Sequence, residues 1–211
     1  YKWGHMEAFM VLIVVLSLYF AKQEQDVESG VLLAVAVSIK YLPIVILPFL
    51  ILNKGKIKLK MASAFVTTLF ILFGLCYVQW GPSYLKSFWH AATTISEHMS
   101  IFRFLRGAYS PLQFWGISNV DFLSLPLMLV GFLYIFVRYL QGAVSQMRAI
   151  LAAVLSTLVF YRVGYAQYYV TYFGIYFYFL ACHVDKDLKT VIEEQIPLLL
   201  LLMIFNIQFS Y

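Results

Sequence analysis

The sequence has little charge. Only 12% of its 211 residues are charged, whereas 63% are hydrophobic; soluble domains average about 25% charged and about 45–50% apolar residues. This composition excludes a water-soluble globular domain and indicates a protein whose solvent is lipid. Because a bilayer crossing takes about 20 mainly apolar residues, the chain has room for about six or seven crossings.

Cysteine is also scarce. Cys76 and Cys182 each lie in or at the end of an apolar run, where cysteine is more often a small core hydrophobe than a nucleophile or a disulfide partner. The histidines follow no HxxxH or HExxH pattern, and the group His90, Glu97 and His98 is irregularly spaced. We therefore expect no metal site and no cofactor.

The sequence also lacks an initial methionine and a signal sequence. It begins at Tyr1, and no charged segment with a small-residue cleavage site precedes the first apolar run. We expect an N-terminally truncated piece of a longer membrane protein, with residues 1–211 as a single transmembrane domain.

Long apolar runs are what the sequence has instead of charge, and polar segments separate them. They predict an all-α fold, a polytopic transmembrane helix bundle with a re-entrant or Pro-kinked hairpin and one long extracytoplasmic loop, residues 81–121. A short polar loop, residues 22–29, follows the first run. The apolar runs are 8–20, 30–52, 61–80, 123–139, 149–160 with a continuation to 181, and 196–209.

The run Gly30 to Leu52 is interrupted by Lys40, Pro43 and Pro48. Proline removes a backbone donor and clashes with the preceding turn, so the helix should break or kink between residues 39 and 42. The segment is either one kinked span or a hairpin of two short helices. Irregular backbone at membrane depth is tolerated only where it is buried in protein or lines a wet cavity, which favours the hairpin.

The net charge of +5 comes partly from four alternate lysines at positions 54 to 60, a pattern that marks one membrane side and not a nucleic-acid surface. With a hairpin, nine basic residues fall in cytoplasmic segments and five outside, as the positive-inside tendency requires. If residues 30–52 instead crossed the membrane once, few basic residues would change sides. Charge alone therefore does not separate the two topologies. The nine are Lys22, Lys54, Lys56, Lys58, Lys60, Arg138, Arg148, Lys186 and Lys189.

Three polar positions in the first part of the chain are candidate site residues. Lys40 at membrane depth costs about 2.5–3.5 kcal/mol on insertion scales and is a functional-site hypothesis, although a snorkelling lysine is as good an interpretation. Glu7 and His5 lie where the first helix enters the membrane, where they either face a polar cavity that binds sugar or phosphate or anchor the helix at the interface.

A second group of candidates lies further along the chain. Arg162 is surrounded by tyrosines and followed by Gln167 and Tyr168; a guanidinium binds phosphate and tyrosines stack on sugars, but an aromatic belt with an interfacial arginine has the same pattern. In the long loop, Arg103 and Arg106 suit an anionic lipid headgroup, or are simply solvated.

Most of the sequence resembles a known family, in motifs that occur in the same order. The run GHMEA (4–8), a helix, a polar loop and SGVLLAVAVSIKYLPIVILPFLIL resemble the G-(H/Q)-x-(E/D)-A … G-L-L-L-G-L-A-x-x-x-K-x-x-P-x-x-x-L-P stretch of GT-C-type polyprenyl-phosphate-sugar-dependent glycosyltransferases. The matching positions are Gly30, Lys40, Pro43 and Pro48. Downstream, Arg162-Val163 with Gln167-Tyr168 is similar to the K-V-x-x-x-Q-Y element of mannosyltransferases in this class.

The resemblance implies transfer of a hexose, most often mannose, from a polyprenyl-phosphate-linked donor to a glycan, glycolipid or protein acceptor on the extracytoplasmic or lumenal side. Lys40 and Arg162 would bind the donor phosphate. The family's catalytic aspartate lies upstream of the matching region, so the base is expected before Tyr1, and Glu7 is the substitute among the matched positions. A prokaryotic plasma membrane or the endoplasmic reticulum membrane would hold the protein.

Two other functions stay open from the sequence. A transporter or flippase would also have broken helices and a charge at the midplane, although it often has a second, symmetry-related broken segment, which is not evident here. A non-catalytic membrane subunit is the third hypothesis.

Overall fold

The protein is described here by a computed structural model, which describes residues 4–53, 55–84, 86, 97–98, 102, 121–161, 163–164 and 169–182. These residues are mostly helical, which confirms the predicted all-α class. The helices are α1 Gly4–Lys22, α2 Asp26–Ile39, α3 Leu47–Ile51, α4 Leu59–Trp80, α5 Ser124–Leu140, α6 Gln146–Phe160 and α7 Tyr169–Cys182, with 3-10 helices at Leu42–Ile46 and Asp121–Leu123.

In the described part of the chain, four two-residue strands form two small pairs. Strands β1 (Leu52–Asn53) and β2 (Lys56–Ile57) pair antiparallel around a turn in which Gly55 has a φ of +74°. Strands β3 (Glu97–His98) and β4 (Val163–Gly164) pair in parallel. The first pair is a tight turn between helices, and the second joins two distant parts of the chain.

The helices follow the predicted apolar runs, with one correction. The polar loop predicted at residues 22–29 is wrong in its second half, because α2 already begins at Asp26. Asp26 and Glu28 lie in the first turn of α2, where negative charge complements the helix dipole. The predicted run 196–209 lies outside the described residues.

The predicted break in the second apolar run is confirmed at Lys40. Helix α2 ends at Ile39, and Lys40 is extended, with φ −149° and ψ 135°, while its amide still donates to the carbonyl of Ala36 at 3.0 Å. Pro43 and Pro48 lie in the first turns of the 3-10 helix and of α3. Proline is tolerated there because a first-turn amide has no intrahelical partner.

Both ends of the segment that contains this break meet at Lys58. The Lys58 ammonium lies 2.6 Å from Oδ1 of Asp26, the first residue of α2. The Lys58 amide donates to the carbonyl of Ile51, the last residue of α3, at 2.8 Å. We call this side of the molecule the basic end, because it also holds Lys56 and Lys60. The opposite side, where α2 breaks, is the Lys40 end.

Small residues bring α1, α2 and α4 together. Ser17 and Ser29 are fully buried, and each hydroxyl donates to the other residue's carbonyl, at 2.8 and 2.9 Å. A Cβ on Gly30 would lie 2.5 Å from the carbonyl oxygen of Met61, so only glycine allows α2 and α4 to pack this closely.

Close packing at glycine residues also occurs in the second half of the chain. Gly131 of α5 packs against Ser156 of α6, and Gly174 of α7 packs against Val11 of α1, each too close for an added Cβ. Helix α6 also contacts the 3-10 helix that follows Lys40. Helices from both halves of the chain therefore enclose the break.

Side chains from α5 and α6 complete the hydrogen bonding of α3. The Tyr139 hydroxyl donates to the carbonyl of Leu52, and the Gln146 amide donates to that of Phe49 at 2.7 Å. The last carbonyls of a helix have no partner inside it. Helix α3 is therefore fixed at the basic end although it has only five residues.

One helix in the described part of the chain, α4, is both long and apolar enough to cross a membrane. The segments Leu42–Ile51, Ser124–Leu140, Gln146–Phe160 and Tyr169–Cys182 are apolar but shorter. Helix α4 also exposes large apolar side chains, for example Phe70 and Val78 at 76% and 85%. Its outer surface is therefore suited to lipid contact.

Candidate functional site

Lys40 and Glu7 form an ion pair at the Lys40 end of the molecule. The Lys40 ammonium contacts Oε1 of Glu7. Glu7 lies in the first turn of α1 and Lys40 is the C-cap of α2. A carboxylate at a helix N-terminus and an ammonium at a helix C-terminus both complement the helix dipoles. The local structure therefore favours both charges before they interact with each other.

The two members of the pair differ in burial. The Glu7 side chain is only 4% exposed, whereas the Lys40 side chain is 26% exposed. A carboxylate buried this far is unfavourable without a cationic partner, because desolvation of an ion costs several kcal/mol. Lys40 thus compensates the charge of Glu7 and still reaches the surface of a cavity.

The cavity beside Lys40 has a volume of about 120 Å³. The broken segment forms one wall, and α5 and α6 form the other. Its surface is almost wholly apolar, so a charge inside it is weakly screened and Lys40 interacts strongly with an anion there. The lining residues are Lys40, Tyr41, Leu42, Ile44, Val45, Met128, Thr157 and Tyr161.

Tyrosine hydroxyls join the two walls of the cavity. The hydroxyls of Tyr41 and Tyr161 contact each other, and the two rings pack edge to face with centroids 6.0 Å apart. The Ser124 hydroxyl donates to the carbonyl of Phe160 at 2.6 Å, which satisfies a carbonyl at the end of α6. These contacts fix the C-terminus of α6 beside the break at Lys40.

The structure brings together two of the residues predicted from the sequence, Glu7 and Lys40. The backbone of His5 lies in the first turn of α1, and its side chain is outside the described part of the structure. Arg162 directly follows Tyr161 of the cavity and is itself outside the described residues. The other predicted residues outside them are Gln167, Tyr168, Arg103 and Arg106.

A backbone pairing links the long loop to this end of the molecule. Glu97 pairs with Val163 and His98 pairs with Gly164. Part of the segment 81–121 therefore lies beside the connection between α6 and α7. Because a two-residue strand has no periodicity, this pairing could not be predicted from the sequence.

Several cavity residues were not predicted from the sequence. Tyr41 has a recognisable signal, because an aromatic hydroxyl directly follows the charged residue at the break. Met128 and Thr157 have none, because both lie within apolar helices where core packing explains them equally well. Only the approach of α5 and α6 to the break gives them a place in the site.

A family model matches residues 2–182, which include the ion pair and every residue of the cavity, and it describes glycosyltransferases. The chain belongs to glycosyltransferase family 87, a family of membrane-associated enzymes. The predicted glycosyltransferase class is thereby confirmed, and the family favours it over a transporter. Comparisons with curated proteins and with solved structures gave no match.

Proposed function

We propose that this protein transfers a hexose, mannose in particular, from a polyprenyl-phosphate donor to a glycan, glycolipid or protein acceptor on the extracytoplasmic or lumenal side. The carrying observation is Lys40: a cation in a helix break, beside an apolar cavity. A lipid-linked phosphate has the same combination of a charged group and an apolar chain.

In this proposal Lys40 binds the donor phosphate. When the bond between the sugar and the phosphate oxygen breaks, negative charge develops on the departing phosphate, and a fixed cation in a low-dielectric site stabilises that charge. Leu42, Ile44 and Val45 of the cavity wall would contact the isoprenoid next to the phosphate. Arg162 is proposed as a second phosphate ligand, because it follows Tyr161.

Glu7 is proposed as the base. It would take the proton from the acceptor hydroxyl, whose oxygen attacks the anomeric carbon while the bond to phosphate breaks, which inverts the configuration. Its Oε1 contacts Lys40, whereas Oε2 has no hydrogen-bond partner in the described part of the protein. One carboxylate oxygen is thus held in place, and the other is a buried acceptor that an acceptor hydroxyl would satisfy.

The remaining predicted residues are proposed as substrate ligands. His5, Gln167 and Tyr168 suit sugar hydroxyls, and Arg103 and Arg106 suit an anionic headgroup. The pairing of Glu97–His98 with β4 supports a role for the long loop, because it draws that loop toward the sequence that contains Arg162.

We further propose that the chain is a polytopic bundle with residues 26–51 as a re-entrant hairpin and the Lys40 end outside. The meeting of α2 and α3 at Lys58 supports the hairpin. Basic side chains support the orientation: of eight described Lys and Arg residues, six lie near the basic end, as expected for a cytoplasmic side. The six are Lys22, Lys56, Lys58, Lys60, Arg138 and Arg148.

Replacement of Lys40 tests the proposed donor site. We expect Lys40→Met to weaken binding of undecaprenyl phosphate to the purified protein at least about 10-fold, because a charge-assisted interaction is worth about 1.5–3 kcal/mol. Lys40→Arg keeps the charge and should weaken the binding of undecaprenyl phosphate less.

The matched control is Lys58→Met. It removes the lysine of a second ion pair, between Lys58 and Asp26 at the basic end, and should leave the affinity for undecaprenyl phosphate unchanged. Equal affinities of wild type and Lys40→Met would refute the role of Lys40 in the donor site.

A further inference from the structure

Helices α1 and α7 carry buried oxygen atoms that have no hydrogen-bond partner in the described part of the chain. Within the described residues, these atoms are Oε2 of Glu7, Oγ1 of Thr171 and the hydroxyls of Tyr172 and Tyr178. Buried polar groups are nearly always hydrogen-bonded, so each exception needs an explanation. A bound ligand with hydroxyl groups would explain such atoms, because its hydroxyls would hydrogen-bond to them.

Two of these atoms belong to the same level of the helix pair. Helices α1 and α7 both begin at the Lys40 end, and Gly174 packs against Val11. Thr171 precedes Gly174 by three residues and Glu7 precedes Val11 by four. Residues three or four apart share a helix face, so Thr171 and Glu7 lie on facing sides, one turn beyond the Gly174 contact.

The hydroxyl of Thr171 differs from that of a second buried threonine. Thr157 donates to the carbonyl of Ala153 in its own helix at 2.8 Å, the usual solution for a threonine inside a helix. Thr171 is fully buried but makes no such bond. Its hydroxyl is therefore a buried donor without a partner in the described part of the chain.

The two atoms have complementary chemistry. A carboxylate oxygen only accepts hydrogen bonds, whereas a threonine hydroxyl donates and accepts. A ligand hydroxyl can donate to Oε2 of Glu7 and accept from Oγ1 of Thr171. Because Oε1 of Glu7 contacts Lys40, this hydroxyl would lie next to the group proposed to bind phosphate.

We propose that Glu7 and Thr171 form a subsite for one hydroxyl group of a sugar. The proposal rests on the proposed function and makes Thr171 a substrate-binding residue that the sequence did not indicate. If the hydroxyl belongs to the acceptor, Glu7 is also its base; if it belongs to the donor sugar, Oε2 is occupied and another group takes the acceptor proton. Binding experiments separate these two sources.

The test compares the wild type with Thr171→Val and Thr171→Ser in the purified protein. Valine keeps the shape of threonine and removes the hydroxyl, and serine keeps the hydroxyl. Three probes are used: undecaprenyl phosphate, undecaprenyl-phosphate-mannose and octyl mannoside. We expect T171V to leave the affinity for undecaprenyl phosphate unchanged and to weaken one mannose-bearing probe about 10-fold.

The affected probe identifies the source of the hydroxyl. Weaker binding of undecaprenyl-phosphate-mannose assigns the subsite to the donor sugar, and weaker binding of octyl mannoside assigns it to the acceptor. Thr171→Ser should restore the affected affinity. Unchanged affinity for both mannose probes, or an equal loss for undecaprenyl phosphate, would overturn the proposal.

Tyr178→Phe is the matched control. It removes a hydroxyl from the same helix, seven residues further toward the basic end, about 10 Å along the axis, and should change none of the three affinities. If wild type fails to bind undecaprenyl phosphate while octyl mannoside binding still depends on Thr171, the proposed donor site fails and the hydroxyl subsite stands.

Discussion

At the scale of single residues, Glu7 and Lys40 depend on each other. Each is favoured by the end of the helix that carries it, but Glu7 is too buried to hold a charge without a cation nearby. The pair therefore has two roles. It supports the contact between α1 and α2, and it keeps two opposite charges at the proposed reaction site.

This dependence predicts non-additive stability effects. Glu7→Gln leaves Lys40 without its carboxylate, and we expect the free energy of unfolding in detergent micelles to fall by about 2–3 kcal/mol. Lys40→Met should cost a similar amount. The double variant should lose less than the sum, by about 1–3 kcal/mol, in chemical denaturation followed by circular dichroism. Additive losses would contradict a direct pair.

The serine pair between α1 and α2 gives a second prediction at this scale. Ser17→Ala removes one of two reciprocal buried hydrogen bonds and leaves the Ser29 carbonyl without that donor, so we expect a loss of about 1–2 kcal/mol. The control is Ser63→Ala, because the hydroxyl of the exposed Ser63 donates to the carbonyl of Lys60 within its own helix. Equal stability of the two variants would show that the serine pair contributes nothing measurable.

At the scale of helices, packing depends on glycines in contact faces. Gly30→Ala should lower the free energy of unfolding by about 1–3 kcal/mol, because the new methyl group meets backbone atoms of α4 that cannot move aside. Gly74→Ala is the matched control, since nothing lies within 4 Å of its added Cβ. A Gly30→Ala protein as stable as Gly74→Ala would contradict the close approach of α2 and α4.

The helices themselves were largely predictable, and their ends and partners were not. Apolar runs predicted α4 and α5 to within a few residues because lipid or core contact requires the same side chains along the whole element. The start of α2 at Asp26 was missed because a polar first turn resembles a loop. Its place in the helix depends on Lys58, which is distant in the sequence.

At the scale of the whole molecule, the two ends differ in charge, and the proposed topology follows from that difference. Ser83, just after α4, and Lys56, in the turn before it, are both exposed and lie at opposite ends of that helix. In a protein whose Cys76 and Cys182 are replaced by alanine, single cysteines at these positions report the side of the membrane.

We expect a membrane-impermeant maleimide to label Ser83→Cys from the extracytoplasmic side and Lys56→Cys only after the membrane is permeabilised. The physical reason is the positive-inside tendency, which retains the lysine-rich turn in the cytoplasm. Labelling of both cysteines from one side would contradict a crossing by α4, and the reverse pattern would invert the orientation.

The sequence by itself determined the class of the protein. Its low charge and long apolar runs predicted helices in lipid, the prolines after Lys40 predicted a break, and the residues around Glu7, Lys40 and Arg162 resembled glycosyltransferases. These properties are local, because hydropathy and proline act on the segment that contains them.

Only the tertiary structure decided which of these features meet. It joined Glu7 to Lys40, closed a cavity around the break with residues of α5 and α6, and left Thr171 buried opposite α1 without a hydrogen bond in the described part of the chain. Such contacts depend on helix register and on the close packing that Gly30 and Gly174 allow. A single sequence does not contain that information, because many pairings of apolar helices bury a similar area.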